Sequence, residues 1–250
     1  MKRSVKSLIG YAIGATNGEL GEVKEFYFDD KTWTIRYLIV ETGNWLSGRK
    51  VLISPEAVLV PDWENKIFPV NLTEEQVKNS PEIDTEKPVS RQEELKLYGH
   101  YPWTNYWGDE SFGLGIPVSM FQVMQSDMDD PDDKESDDDP HLRSTKKVTG
   151  YSVKTTDGEI GDVDDFIIDD SNWKLDFIIV DTGNWFPGKK VIISPKWIKE
   201  IKWDTSTVII KVSVEKVKNS PEYDPDKPIS EVYESSLHNH YNGIISNQNK

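Results

Sequence analysis

Apolar residues occur along this chain in short runs separated by Gly, Asp, Asn and Pro. Trp33 to Val40 (WTIRYLIV) and Trp173 to Val180 (WKLDFIIV) are rich in β-branched and aromatic residues, which predicts buried strands. Glu22 to Phe28 and Asp162 to Ile168 read as the preceding strands, with Asp29-Asp30 and Asp169-Asp170 as the turns between. Lys50 to Ile53, Ala57 to Val60 and Lys66 to Val70 supply shorter strands. Asn17-Gly18 and Asp157-Gly158 lie between apolar runs and predict tight hairpin turns with positive φ. Thr73-Glu-Glu-Gln76 predicts a helix opened by a capping box, and Ser90 to Tyr98 a second short helix. Pro81, Pro88, Pro221 and Pro228 bound the loops between such helices. Strands this short, with turns this frequent, predict a mainly β chain built as a small barrel or sandwich.

The pattern occurs twice. Aligned without a gap at a spacing of 140, residues 10–101 and 150–241 are identical at 39 of 92 positions. TGNWLSGRKVLISP (Thr42 to Pro55) returns as TGNWFPGKKVIISP (Thr182 to Pro195), and KNSPEIDTEKPVS returns as KNSPEYDPDKPIS. Two repeats of this length suit two compact domains better than a solenoid, which stacks several shorter units. The sequence divides into a first repeat with helical tail (1–98), an aromatic-rich segment (99–126), an acidic linker (127–140) and a second repeat with helical tail (141–250).

Three ordered blocks carry a family resemblance. They are GY-x5-DGEIG-x-V-x-DF-x2-DD-x2-W at Gly150 to Trp173, IIVDTGNW at Ile178 to Trp185, and GKKVIISP at Gly188 to Pro195. The first copy repeats them with Asn17 in place of the Asp. This resembles the PRC-barrel domain, seen also in the cytoplasmic H-subunit domain of photosynthetic reaction centres and at the C-terminus of a ribosome maturation factor. The resemblance implies two tandem small β-barrels, each with short C-terminal helices, acting as docking or scaffolding modules without catalytic residues. The H subunit's membrane helix and the maturation factor's RNA-associated domain have no counterpart in this chain, so neither specific role transfers.

Charge sharpens the picture. The net charge of −15 is uneven: residues 1–110 carry −5, residues 140–250 carry −2, and the stretch between carries −8. DMDDPDDKESDDDP (Asp127 to Pro140) has almost nothing to bury and is expected to be disordered. No basic footprint suggests direct nucleic-acid contact. There is no Cys, so disulfides, thiol chemistry and Cys zinc sites are excluded. The N-terminal stretch lacks a signal-peptide pattern, and no apolar run is long enough to span a bilayer, which predicts a cytoplasmic protein.

Candidate chemistry is sparse. No G-x-S-x-G, Walker A or H-E-x-x-H pattern is present, so no enzyme activity and no cofactor are expected. The acidic linker would attract cations, but Pro131 and the absence of a following Gly break the calcium-loop template. His238 and His240 form an H-x-H pair without an evident third ligand. In the repeated loop, turn chemistry explains Gly43, Gly48 and Asn44 with their counterparts, while Trp45 and Trp185 would either cover a barrel end or anchor a partner. Asn44, Asn184, Trp103 and Trp107 complete the candidate interaction residues. The expected partner is another protein, through which peripheral membrane association is possible. Small-ligand or cation binding in a barrel cleft or the linker, and a ribosome-maturation role through a basic protein, are the alternatives.

Overall fold

The computed structural model describes residues 1–83, 89, 91–104, 106, 141–183 and 189–242. The first copy contains β1 (Lys2–Ser4), β2 (Ala12–Ala15), β3 (Gly18–Asp29), β4 (Thr34–Thr42), β5 (Lys50–Ile53), β6 (Ile67–Pro69), α1 (Glu74–Lys78) and α2 (Arg91–His100). The second contains β7 (Leu142–Ser144), α3 (Thr145–Val148), β8 (Ser152–Lys154), β9 (Glu159–Asp169), β10 (Lys174–Asp181), β11 (Lys190–Ile193), β12 (Ile198–Lys202), β13 (Thr207–Ile210), α4 (Val214–Lys218) and α5 (Glu231–Asn242). The chain is mainly β, with short helices closing each copy.

Compactness partitions the chain differently from repetition. One unit gathers Met1–Ile9, Phe28–Ile35 and Ser144–Lys250; the other gathers Gly10–Tyr27 and Arg36–Arg143. In the first of these, the ladder runs β11–β10–β9–β8–β13–β12, antiparallel except for β8 with β13. β1 adds to it antiparallel, pairing Lys2 with Asp169, Arg3 with Ile168 and Ser4 with Ile167. Val5 then donates its N–H to the Phe166 carbonyl at 2.9 Å. The start of the first copy is therefore a strand of the unit that holds the second.

Side chains fix this borrowed strand. Val5 and Leu8 are buried. Arg3 Nε donates to Asp170 at 2.7 Å. The buried Asp165 accepts from the Ser4 hydroxyl and from the Lys6 amide. Burial pushes the Asp165 carboxyl up in spite of these bonds. Burial opposes ionisation of Asp164 too, but Lys190 and Lys6 outweigh it and hold that carboxyl below its ordinary value. Two members of the acidic run Asp162 to Asp165 thus anchor the exchanged segment. The β3–β4 turn joins the same unit: Trp33 O accepts from Leu175 N at 2.7 Å, and Phe28 lies 5.9 Å from the Phe166 ring.

In the other unit the ladder is β5–β4–β3–β2–β6, with β7 on β3. Both ladders run open among the described residues, with no pairing that returns the last strand to the first. Phe26, Tyr37, Leu38 and Phe68 form its core, as Phe166, Phe177, Ile178 and Ile210 do in the partner unit.

Local chemistry departs from expectation in two places. The hairpin turn is Thr16-Asn17, and Gly18 already pairs with Ala15 at an ordinary φ. Gly gives room in the second copy, where a Cβ on Gly158 would lie 2.8 Å from the Val214 side chain; on Gly18 a Cβ would meet only the flexible end of Glu74, at 2.2 Å, which can move aside. The turn Asn and Asp have a second use. Asn17 Oδ1 accepts from Glu74 N at 2.9 Å and Asp157 Oδ1 from Val214 N at 2.8 Å, so each turn caps the first free amide of α1 or α4. The expected capping box of Thr73 and Gln76 is present in full. Ala57 to Val60 is not a strand: Pro55–Ala57 forms a 3-10 turn, followed by an isolated bridge from Val58 to Val70.

Candidate functional site

The repeated loop joins β4 to β5. Thr42 Oγ1 closes its base on the Arg49 carbonyl at 2.8 Å, and Asn44–Leu46 form a 3-10 turn. Ser47 and Gly48 take left-handed conformations, at φ 57° and 70°. Asn44 is exposed, and Trp45 is 36 % exposed. The indole of Trp45 donates to the Leu20 carbonyl at 3.0 Å, which ties the loop to β3 one residue before Gly21. The basic residue of the loop has a defined task. Arg49 donates to the carbonyls of Ser80 at 2.7 Å and Pro81 at 2.8 Å, and Lys189 reaches those of Lys218 and Ser220 at 3.0 and 3.3 Å. Each binds carbonyls at and beyond the end of a short helix, where cations are favoured. Asn184, Trp185 and Trp107 lie outside the described residues, as does the acidic stretch Asp127 to Pro140.

Trp103 is inside, 9 % exposed, with its ring stacked on Tyr101 at 4.0 Å. The second copy pairs the equivalent Tyr241 with a Trp from a different position, Trp197, at 4.1 Å with the rings tilted by 33°. The first copy has Ala57 at the position of Trp197, and Trp103 supplies the missing ring from the segment after α2. His240 and His100 are likewise equivalent: their Nε2 atoms bond the Lys216 and Gln76 carbonyls at 2.8 and 2.7 Å. His238 packs edge-on to Trp197 at 5.7 Å. The H-x-H pair is on a helix, where positions two apart diverge. Among the described residues no three His, Asp or Glu converge as metal ligands.

One carboxylate is buried without any mark of it in the sequence pattern. Glu94 on α2 is 0 % exposed. It accepts from the Tyr37 hydroxyl at 3.0 Å and the Tyr106 hydroxyl at 2.7 Å, and His141 Nε2 stands 3.3 Å from its other oxygen. The Arg36 guanidinium lies 3.7 Å from the centre of the Tyr106 ring. Burial, then the Glu94 charge, pushes the Tyr37 hydroxyl well above the ordinary phenol range. Tyr106 and His141 also meet each other at 2.9 Å.

The second copy has Asp176, Phe177, Glu234 and His238 at the positions of Arg36, Tyr37, Glu94 and Tyr98. These line an open cleft of about 420 Å³, with Lys2, Lys31, Trp33, Lys174 and Lys196 on its other walls. Lys2 reaches both Asp176 and Glu234, the latter at 3.4 Å. Its ammonium is pushed up: burial opposes this, but the two carboxylates outweigh it.

Two mainly β units built from a duplicated sequence, each with a helical tail locked to a loop of matching length, define the class. The PRC-barrel domain model matches residues 2–77 and again 142–217, so the chain belongs to the PRC-barrel family as a tandem member. No curated protein matches the chain. Among the described residues no helix is long and apolar enough to cross a membrane.

Proposed function

We propose that this protein is a non-enzymatic interaction or scaffolding module whose partner is another protein. The observation that carries the reading is an exposed apolar pair. Leu59 is 52 % exposed and Val60 87 %. They sit where the second copy has Lys199 and Glu200, in β12 at the end of its ladder. Charged residues at such an edge discourage pairing with other chains. The first copy has apolar side chains there instead, held by the isolated bridges Val58 to Val70 and Asp62 to Ile67 and by Leu59 N to Pro69 O at 2.8 Å. Trp45 and Asn44 add a second exposed feature, although part of the indole is used within the unit. Glu94, the side chain most suggestive of chemistry, is fully buried and engaged by two phenols and a His, which suits a structural crosslink.

The double variant Leu59→Lys/Val60→Glu transplants the second copy's own residues, and both positions are exposed, so the fold should tolerate it. Cross-linked recovery of tagged protein from its own cells is expected to yield a specific protein partner with the native chain and to lose it with the variant. Recovery of the same proteins by both, or of none by either, would remove this edge as the basis for the proposal.

A further inference from the structure

The geometry points to the cleft on the second-copy unit as a binding site for a small aromatic anion, a ring bearing a phosphate or carboxylate. The first argument is a comparison of equivalent positions. In the first-copy unit, Tyr106 fills the corresponding place: its ring lies over Arg36 and its hydroxyl bonds Glu94. Just before it, Thr104 N donates to Glu56 at 3.0 Å. The equivalents of Arg36, Glu94 and Glu56 are Asp176, Glu234 and Lys196, and all three line the open cleft. The position equivalent to Tyr106 is Ser246, which has no ring to repeat the plug. Among the described residues the same fold therefore presents one ring-filled site and one open one.

The walls select the charge. Lys2 is committed to Asp176 and Glu234. Lys31, Lys174 and Lys196 are exposed and make no ion pair among the described residues. Four lysines against two carboxylates leave the lining at +2, in a chain of −15. Trp33, Leu175 and Phe177 form an apolar floor under the cleft, with Trp33 the most accessible at 9 % exposure, and Glu234 offers an acceptor where Glu94 receives the Tyr106 hydroxyl. The volume is within the usual range of small-molecule clefts. An anion alone would leave the aromatic wall unused, and a neutral ring would leave three cations unpaired.

Isothermal titration of the full chain at low salt with phenyl phosphate, phenol and inorganic phosphate tests this. Phenyl phosphate is expected to bind at least about tenfold tighter than either fragment, and more weakly as salt rises. Lys174→Glu/Lys196→Glu should weaken it by about tenfold or more, since exposed charge reversal leaves the fold intact. Lys154→Glu, in β8 of the same unit and outside the cleft lining, should not change it. Equal affinity for inorganic phosphate, unchanged binding in the double variant, or no binding at millimolar ligand would each overturn the assignment.

Discussion

Gly21→Ala and Gly161→Ala are each expected to destabilise the protein by about 4 kcal/mol or more, enough to abolish folding of the affected unit. Gly21 has φ +143° and Gly161 +131°, where side chains are strained. The space is closed as well. A Cβ at Gly21 would lie 2.0 Å from the Glu41 carbonyl oxygen and 2.8 Å from Thr42 Cα. At Gly161 the same distances recur to Asp181 and Thr182. Those neighbours are backbone, so no side chain can swing aside. β3 would have to part from the end of β4 at the base of the repeated loop. Gly10→Ala is the control: its φ is also positive, at +82°, but nothing lies within 4 Å of the added carbon. It should cost about 1 kcal/mol. Urea unfolding of the three variants separates crowding from conformational strain.

The second large effect is at Glu94. Replacing it with Ala should cost about 3 kcal/mol, because the buried Tyr37 hydroxyl and its neighbours lose their shared acceptor. Glu94→Gln should cost less, about 1–2 kcal/mol, since an amide oxygen still accepts one hydroxyl. Glu234→Ala removes the equivalent residue from the second copy, where the side chain is partly exposed and its contact is an ion pair with Lys2. That change should fall below about 1 kcal/mol. Equal effects at Glu94 and Glu234 would mean that the Tyr106 and His141 contacts do not lock the first-copy unit.

Much of the fold is legible because strand patterning and turn chemistry are local. β5 falls at Lys50–Ile53 as its run of apolar residues predicts, and Thr73 with Gln76 forms its box from side chains three apart. The exchanged strand is not legible, because Lys2–Ser4 carries no mark of which β-strand it will pair with. Either copy offers a similar partner, and the choice is made by tertiary contacts such as Val5, Leu8 and Asp165. Glu94 looks like an ordinary helix acid beside Glu93; only Tyr37, Tyr106 and His141, which come from other parts of the chain, make it a buried centre. A signal did exist in the aromatic segment. Trp103 follows the copy that has Ala57, and the equivalent position in the copy that has Trp197 is Gly243, so one ring replaces another. That same asymmetry leaves the cleft at Lys196 open.

If each repeat kept its own strands, residues 1–9 would belong to the first copy alone. Strand exchange instead makes them part of the unit formed mainly by the second. Amide hydrogen exchange on Val5→Asp, with Val5→Ala as a milder variant, decides between the two. Val5 is buried, so a charge there should cost about 3 kcal/mol locally. The predicted result is faster exchange in β9 and β10, around Phe166 to Ile168 and Leu175 to Ile178, while Ala12 to Val23 stays protected. Loss of protection at Ala12 to Val23 with β9 and β10 unchanged would contradict the strand exchange.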